Sequence, residues 1–232
     1  NLESHHVDVW RLSLNLLADS VILMASTLSA DESDRAARFH FEADKNRFII
    51  THGILRKIVG RYLHCDPTEL TFSLNQYGKP ALVNSALEFN LSHSGDFALI
   101  AITQGRKIGV DVERVRQGIS SHVIARQYFS KSAVAELQSL PIEQRETAFF
   151  TCWTRKEAYI KAQGLGLSLP LESFDVSLAP GHPAILRATR PDLQESAHWM
   201  LCSLDVDPNY AGAVAVEGTA LEFRLFSFQM SS

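Results

Sequence analysis

Asp111 and Glu113, in the run Ile108-Gly-Val-Asp-Val-Glu113, are the first residues whose type and spacing suggest chemistry. The run reads as a strand, in which alternate side chains share a face. Ile108, Val110 and Val112 then face a core, while Gly109, Asp111 and Glu113 face the other way. Two carboxylates side by side repel unless a cation lies between them. Mg²⁺ suits such a pair, because it takes carboxylate oxygens and completes its octahedron with phosphate oxygens and water. The same spacing also fits a strand edge with two solvated acids, and spacing alone leaves both readings open.

A second run, Trp153-Thr-Arg-Lys-Glu-Ala-Tyr-Ile-Lys161, reads as helix, with Trp153, Glu157 and Lys161 four apart on one face. A Glu–Lys pair at that spacing is ordinarily a surface salt bridge. The alternative makes Glu157 a third carboxylate of a metal site and turns Lys161 toward a phosphate. A third run, Phe89-Asn-Leu-Ser-His-Ser-Gly-Asp96, reads as a strand passing into a turn where Ser92, His93 and Ser94 could hydrogen-bond phosphate. A plain polar turn accounts for it equally. In Tyr77-Gly-Lys-Pro80, Gly78 allows close backbone approach and Pro80 stiffens the turn. Arg35, Arg38, Lys45 and Arg47 form a basic set that could hold an anion or simply line a solvated helix face.

These residues need elements to position them. Residues 7–14 alternate as a strand. Ser29 followed by Glu32 is a capping-box pattern, starting a helix that runs to about residue 40. A second helix is expected over residues 44–62, and strands over 70–74, 87–91, 97–103 and 108–113. Residues 92–96 then form a connecting turn. The turn at 104–107 makes a hairpin of the strands around it. Helices follow at 121–129, 131–140 and 142–164, then strands at 171–178, 184–188, 198–204, 211–216 and 221–228. The order suggests two α+β halves of similar plan, with a boundary near residues 103–107.

The 232 residues are 46% hydrophobic and 21% charged, which allows a packed core. A net charge of −4 argues against a general nucleic-acid binder, which needs basic excess to neutralise phosphates. Cys65, Cys152 and Cys202 have no metal-ligand spacing and read as reduced thiols of a cytoplasmic protein. No apolar run approaches the ~20 residues of a membrane span, and no signal-peptide pattern is present. Gly164-Leu-Gly-Leu fails the dinucleotide fingerprint, since Leu169 takes the third glycine's place. Walker A, H-E-x-x-H, paired C-x-x-C and G-x-S-x-G motifs do not occur. His5-His6 reads as a frayed end rather than a metal site.

The order of the runs is more specific than any one of them. GKP, FNLSHSG, IGVDVE and WTRKEAYIKAQGLGLSLPL, at these intervals, resemble the phosphopantetheinyl transferase superfamily, best its single-chain surfactin-synthetase-activating type, across residues 35–178. That resemblance implies a pseudo-dimer of two similar α+β halves with the active site in the cleft between them. Residues 1–104 would form the half on the nucleotide side of coenzyme A. Residues 105–232 would carry the metal and catalytic residues and the carrier-docking surface.

The resemblance implies that Asp111, Glu113 and Glu157 hold Mg²⁺, or Mn²⁺ in its place, with Asp111, Glu157 and Lys161 catalytic. Lys161 would meet the phosphates. Ser92 and His93 would hold the nucleotide's phosphates, with His93 near the ribose 3′-phosphate. Gly78, Lys79 and Pro80 would lie beside the adenine, and Arg47, Arg38 and Arg35 around the 3′-phosphate. Glu32 departs from the pattern, standing where a relative has a lysine facing that phosphate. Either Arg35 and Arg47 suffice, or the helix register differs.

The implied reaction transfers 4′-phosphopantetheine from coenzyme A to a serine of an apo acyl or peptidyl carrier protein, releasing 3′,5′-ADP. Glu157 would act as base, directly or through a water. The enzyme would be a monomer with no membrane or nucleic-acid partner. Residues 121–140, with Tyr128, Phe129 and Lys131, resemble the region where the small acidic carrier docks. An exposed aromatic there would anchor it, and core packing of Tyr128 and Phe129 is the equal alternative. Two rival readings use the same residues: a non-catalytic relative that binds coenzyme A or a carrier, and a Mg²⁺ pyrophosphatase with water as nucleophile.

Overall fold

The computed structural model describes residues 2–119 and 121–229. Strand β1 (His6–Ser13) follows the alternation of its sequence, with Val7, Val9 and Leu12 buried. A short helix α1 (Val21–Ala25) leads to α2 (Ala30–Ala37). The capping box forms as expected: Ser29 Oγ accepts from the Glu32 N–H, and the Glu32 carboxylate accepts from the Ser29 N–H. The long helix α3 (Glu42–Leu63) ends at His64 in the left-handed region, φ 54°. Short strands β2 (Phe72–Leu74) and β3 (Pro80–Leu82) bracket the turn that contains Gly78 and Lys79. Strands β4 (Leu87–Ser94), β5 (Phe97–Gln104) and β6 (Ile108–Arg114) follow.

Helices α4 (Ser121–Tyr128) and α5 (Lys131–Ser139) precede the second long helix, α6 (Ile142–Gln163). Gly164 ends α6 at φ 69°. Strands β7 (Phe174–Val176) and β8 (Leu186–Thr189) form a small ribbon. They are followed by β9 (Trp199–Ser203), β10 (Tyr210–Glu217) and β11 (Glu222–Ser227).

The result is a mixed α+β fold with two main sheets. One has the order β11-β1-β5-β4, and the other β6-β10-β9. β11 pairs parallel to β1, although it comes last in the chain. Ile54 and Ile58 of α3 pack with Leu12 and Ile100 of the first sheet. Ala158 and Tyr159 of α6 pack with Ala213 and Ala215 of the second. A third core joins the two sheets, with Val9 and Leu99 on one side and Val110 and Val214 on the other. Among the described residues no helix is long and apolar enough to cross a membrane.

Two local expectations are corrected. Residues 92–94 continue β4 instead of turning, because Ser92 and Ser94 are buried while His93 points out, a strand's alternation. The reversal is confined to the short connection at Gly95, φ 54°, and Asp96. Nor do β5 and β6 form a hairpin. Both edges of β5 are taken, by β1 and β4, and β6 pairs with β10 in the other sheet.

The seam between the sheets is made of side chains. Asn90 Oδ1 accepts from the Val110 N–H at 2.9 Å, Ser92 Oγ from the Val112 N–H at 3.4 Å, and Ser94 Oγ from the Arg114 N–H at 3.2 Å. Polar side chains of β4 thus satisfy the N–H groups that β6 would otherwise leave unpaired at its edge.

Candidate active site

The site begins at a glycine. A Cβ on Gly109 would lie 2.1 Å from Ala158 O and 2.3 Å from Ala162 N, so only glycine lets α6 lie directly on β6. Glu157 and Lys161, on the same face of α6, thereby come against the acids of β6. Lys161 Nζ donates to Asp111 Oδ1 at 2.7 Å and to Ser92 Oγ at 2.9 Å. Ser92 in turn donates to Asp111 Oδ1 at 2.9 Å, and Ser94 to Glu113 Oε2 at 2.8 Å. The lysine therefore reaches across to β6, in place of a surface pairing along its own helix. Asn90 carries no signal in its sequence, and Ser94, which the sequence offers as a phosphate-binding hydroxyl, bonds Glu113 and the Arg114 N–H. Their contribution depends on β6 lying alongside β4, which no local pattern announces.

Asp111 is 3% exposed, and its Oδ2 is buried with no hydrogen-bond partner among the described residues. Burial raises its pKa against the opposing pull of Lys161. Burial, then the charges of Asp111 and Glu113, raise Glu157. Burial also raises Glu113, with Asp111 adding to it and Ser94 opposing. Three mutually repelling carboxylates share the charge of Lys161, a shortage that a further cation would relieve. An all-carboxylate donor set with an orphaned buried oxygen fits a hard divalent ion such as Mg²⁺.

Cations gather around His93. His93 still touches solvent, yet it is enclosed enough that desolvation, then the charges of Arg47, Lys161 and His52, hold its imidazole below the ordinary histidine pKa. Arg47 is itself paired with Asp44 at 2.8 Å. Arg35 lies over the Phe48 ring, 5.2 Å from its centroid, and Arg38 is the exposed C-cap of α2. Lys45 pairs with Glu42 at 3.7 Å. The departure at Glu32 has a physical account. Its carboxylate lies 2.6 Å from Arg56 Nε and 3.3 Å from His52 Nδ1. Burial alone would raise its pKa, but bonds from His52, the Ser29 N–H and Arg56 outweigh this and hold it at about 2. This acid serves a helix start and a buried arginine.

The turn at residues 75–79 holds the end of α6. Lys79 Nζ donates to Ile108 O at 2.9 Å and to Ala162 O at 3.1 Å, so one ammonium ties the start of β6 to the last turn of α6. Burial lowers its pKa to about 8. Asn75 Nδ2 donates to Gly164 O at 2.9 Å, while Asn75 Oδ1 accepts from the N–H groups of Tyr77 and Lys79. Gly78 has φ 83°, and Pro80 opens β3. No local pattern announces this clamp, since a lysine in a polar turn is ordinarily solvated.

In the α4–α5 region, Phe129 is a core residue, 4% exposed and stacked 5.6 Å from Phe149. It is not a surface anchor. Tyr128 and Lys131 are exposed, as is Val123.

Residues 107–215 match the 4′-phosphopantetheinyl transferase superfamily, and residues 17–105 match 4′-phosphopantetheinyl transferase, N-terminal. The chain is 40% identical over 221 residues to 4′-phosphopantetheinyl transferase HetI of Nostoc sp. (strain PCC 7120), covering 94% of this chain and 90% of that protein. It is 30% identical over 190 residues to 4′-phosphopantetheinyl transferase Sfp of Bacillus subtilis (strain 168), covering 82% of each. A solved holo-[acyl-carrier-protein] synthase of Thermotoga maritima aligns with 48% of this chain and 62% of its own, at 18% identity and a TM-score of 0.38.

Proposed function

The chain belongs to the 4′-phosphopantetheinyl transferase superfamily, and from that premise we propose that it moves the phosphopantetheine arm of coenzyme A onto a serine of an apo carrier protein, releasing 3′,5′-ADP. The observation that carries the site assignment is the grouping of Asp111, Glu113 and Glu157, each raised in pKa by burial, with Asp111 Oδ2 buried and without a hydrogen-bond partner among the described residues and with Lys161 bridging the seam. Asp111, Glu113 and Glu157 would hold Mg²⁺. When bound, that ion supplies charge neutralisation at the pyrophosphate of coenzyme A.

The chain's own residues do the rest. Glu157, whose pKa is raised by burial and by its acidic neighbours, is suited to take the proton of the attacking serine hydroxyl, directly or through a water. Lys161 is positioned to stabilise charge on the phosphate oxygens once the substrate draws it from Asp111. Ser92 orients Lys161 and Asp111 together. His93 and Arg47 would supply the positive side that a 3′-phosphate requires, and Arg35 and Arg38 of the α2 end would add to it. Gly78, Lys79 and Pro80 would border the adenine through their backbone, since the Lys79 ammonium is engaged with two carbonyls. Residues 1–104 thus supply the nucleotide-side cations, and residues 105–232 the carboxylates and Lys161. Tyr128 and Lys131, exposed next to the core residue Phe129, would receive the carrier.

The test is the intact mass of a purified apo carrier protein after incubation with this chain, coenzyme A and Mg²⁺, with an EDTA control. A metal-dependent gain equal to one phosphopantetheine is the expected result. No gain on any fatty-acid, polyketide or peptide carrier, with coenzyme A still bound, would refute it.

A further inference from the structure

A second group of metal-type donors lies where the chain enters β1. Glu3, His5 and His6 each offer one ligand atom, and these atoms lie within 4.8 Å of one another. His5 Nδ1 is 3.7 Å from Glu3 Oε2. That is too long for a hydrogen bond. It is close to the edge, about 3.4 Å, of a tetrahedron of donors set at zinc–nitrogen distance from an ion.

His6 is the first residue of β1, only 9% exposed, and its Nδ1 is buried with no hydrogen-bond partner among the described residues. Its other ring nitrogen, Nε2, lies 3.6 Å from Glu222 Oε2, near it but also beyond hydrogen-bond distance. A metal-bound imidazole commonly gives one nitrogen to the ion and turns the other N–H to a carboxylate. The backbone fixes this pair: His6 and Glu222 are register partners, and the Glu222 N–H donates to His5 O at 2.9 Å.

We propose that Glu3, His5 and His6 bind a divalent transition ion of the Zn²⁺ class, with Glu222 as the carboxylate behind His6 and water completing the shell. Two imidazoles and one carboxylate favour that class over Mg²⁺. The site is therefore chemically separate from the all-oxygen cluster of Asp111, Glu113 and Glu157. A bound ion would tie the segment before β1 to the β1–β11 pairing.

Co²⁺ is the probe. The full chain, stripped with EDTA and held in excess Mg²⁺ to occupy the carboxylate cluster, is titrated with Co²⁺ and followed by visible absorption. One equivalent should bind with the strong absorption of nitrogen-ligated cobalt. His5→Ala alters a half-exposed side chain, so the fold should survive, and it should abolish the signal while leaving phosphopantetheine transfer unchanged. Glu222→Gln should weaken binding about tenfold. Zn²⁺ should raise the melting temperature of the parent and not of His5→Ala. A flat titration up to millimolar Co²⁺, or a signal that persists in His5→Ala, would overturn the site.

Discussion

Glu32 and Asp111 are both acids enclosed by the fold, one on α2 and one on β6, and their carboxyls are driven in opposite directions. Around Glu32 every demand is met. Arg56, His52 and the Ser29 N–H all favour the charged form, and they overcome the penalty of burial. Around Asp111 burial prevails. Glu113 and Glu157 compete for the same lysine, and one buried oxygen has no partner. A satisfied acid reads as structure, and a crowded, unsatisfied one marks a candidate site.

The contrast can be broken by exchanging the two outcomes. Asp111→Asn should cut transfer about 100-fold or more while leaving the melting temperature unchanged or raised, because it relieves like-charge crowding. A large fall in melting temperature with activity retained would reverse the roles assigned to the two acids. Lys161→Ala should lower the transfer rate about 100-fold, with a smaller effect on coenzyme A affinity measured by calorimetry. The opposite split would make Lys161 a binding residue.

Glu32→Gln should do the reverse, costing about 2 kcal/mol of stability in denaturant titrations with transfer by the folded protein preserved. The pH dependence sharpens this. The pKa of Glu32 is about 2 in the folded chain against an ordinary 4.5, so its contribution is fully present above pH 4.5. That contribution disappears as the pH falls toward 2, and the stability gap between the parent and Glu32→Gln should close over the same window. Lys79→Met, which loosens the clamp on α6 without touching either acid, should slow transfer about tenfold by shifting Glu157 and Lys161. Lys79→Arg should restore part of the rate.

Much of this was legible in local pattern. The capping box at Ser29 and Glu32, the inward valines of Ile108–Glu113 and the shared face of Glu157 and Lys161 follow from helix and strand periods alone. What local pattern could not carry was the seam. Ser92-His93-Ser94 looks like a turn because hydroxyl residues favour turns, and only the neighbouring edge of β6 makes Ser92 and Ser94 strand residues with buried partners. The clamp made by Lys79 is hidden for the same reason, since its two carbonyl acceptors come from segments far along the chain. Phe129 could be settled only by the packing of Phe149 against it.

The parallel pairing of β11 with β1 has a consequence for how the protein comes into being. As the nascent chain leaves the ribosome, β1, β5 and β4 can assemble early, but one edge of β1 stays bare until β11 is made. Asp8, buried in β1, waits equally long for Arg224, which grips both its oxygens at 2.7 and 3.0 Å. Throughout synthesis of everything between, that uncovered strand edge is open to pairing with a neighbouring chain. β11 is what closes this exposure, so pairing of β1 within its own chain has to wait for a segment far along the sequence.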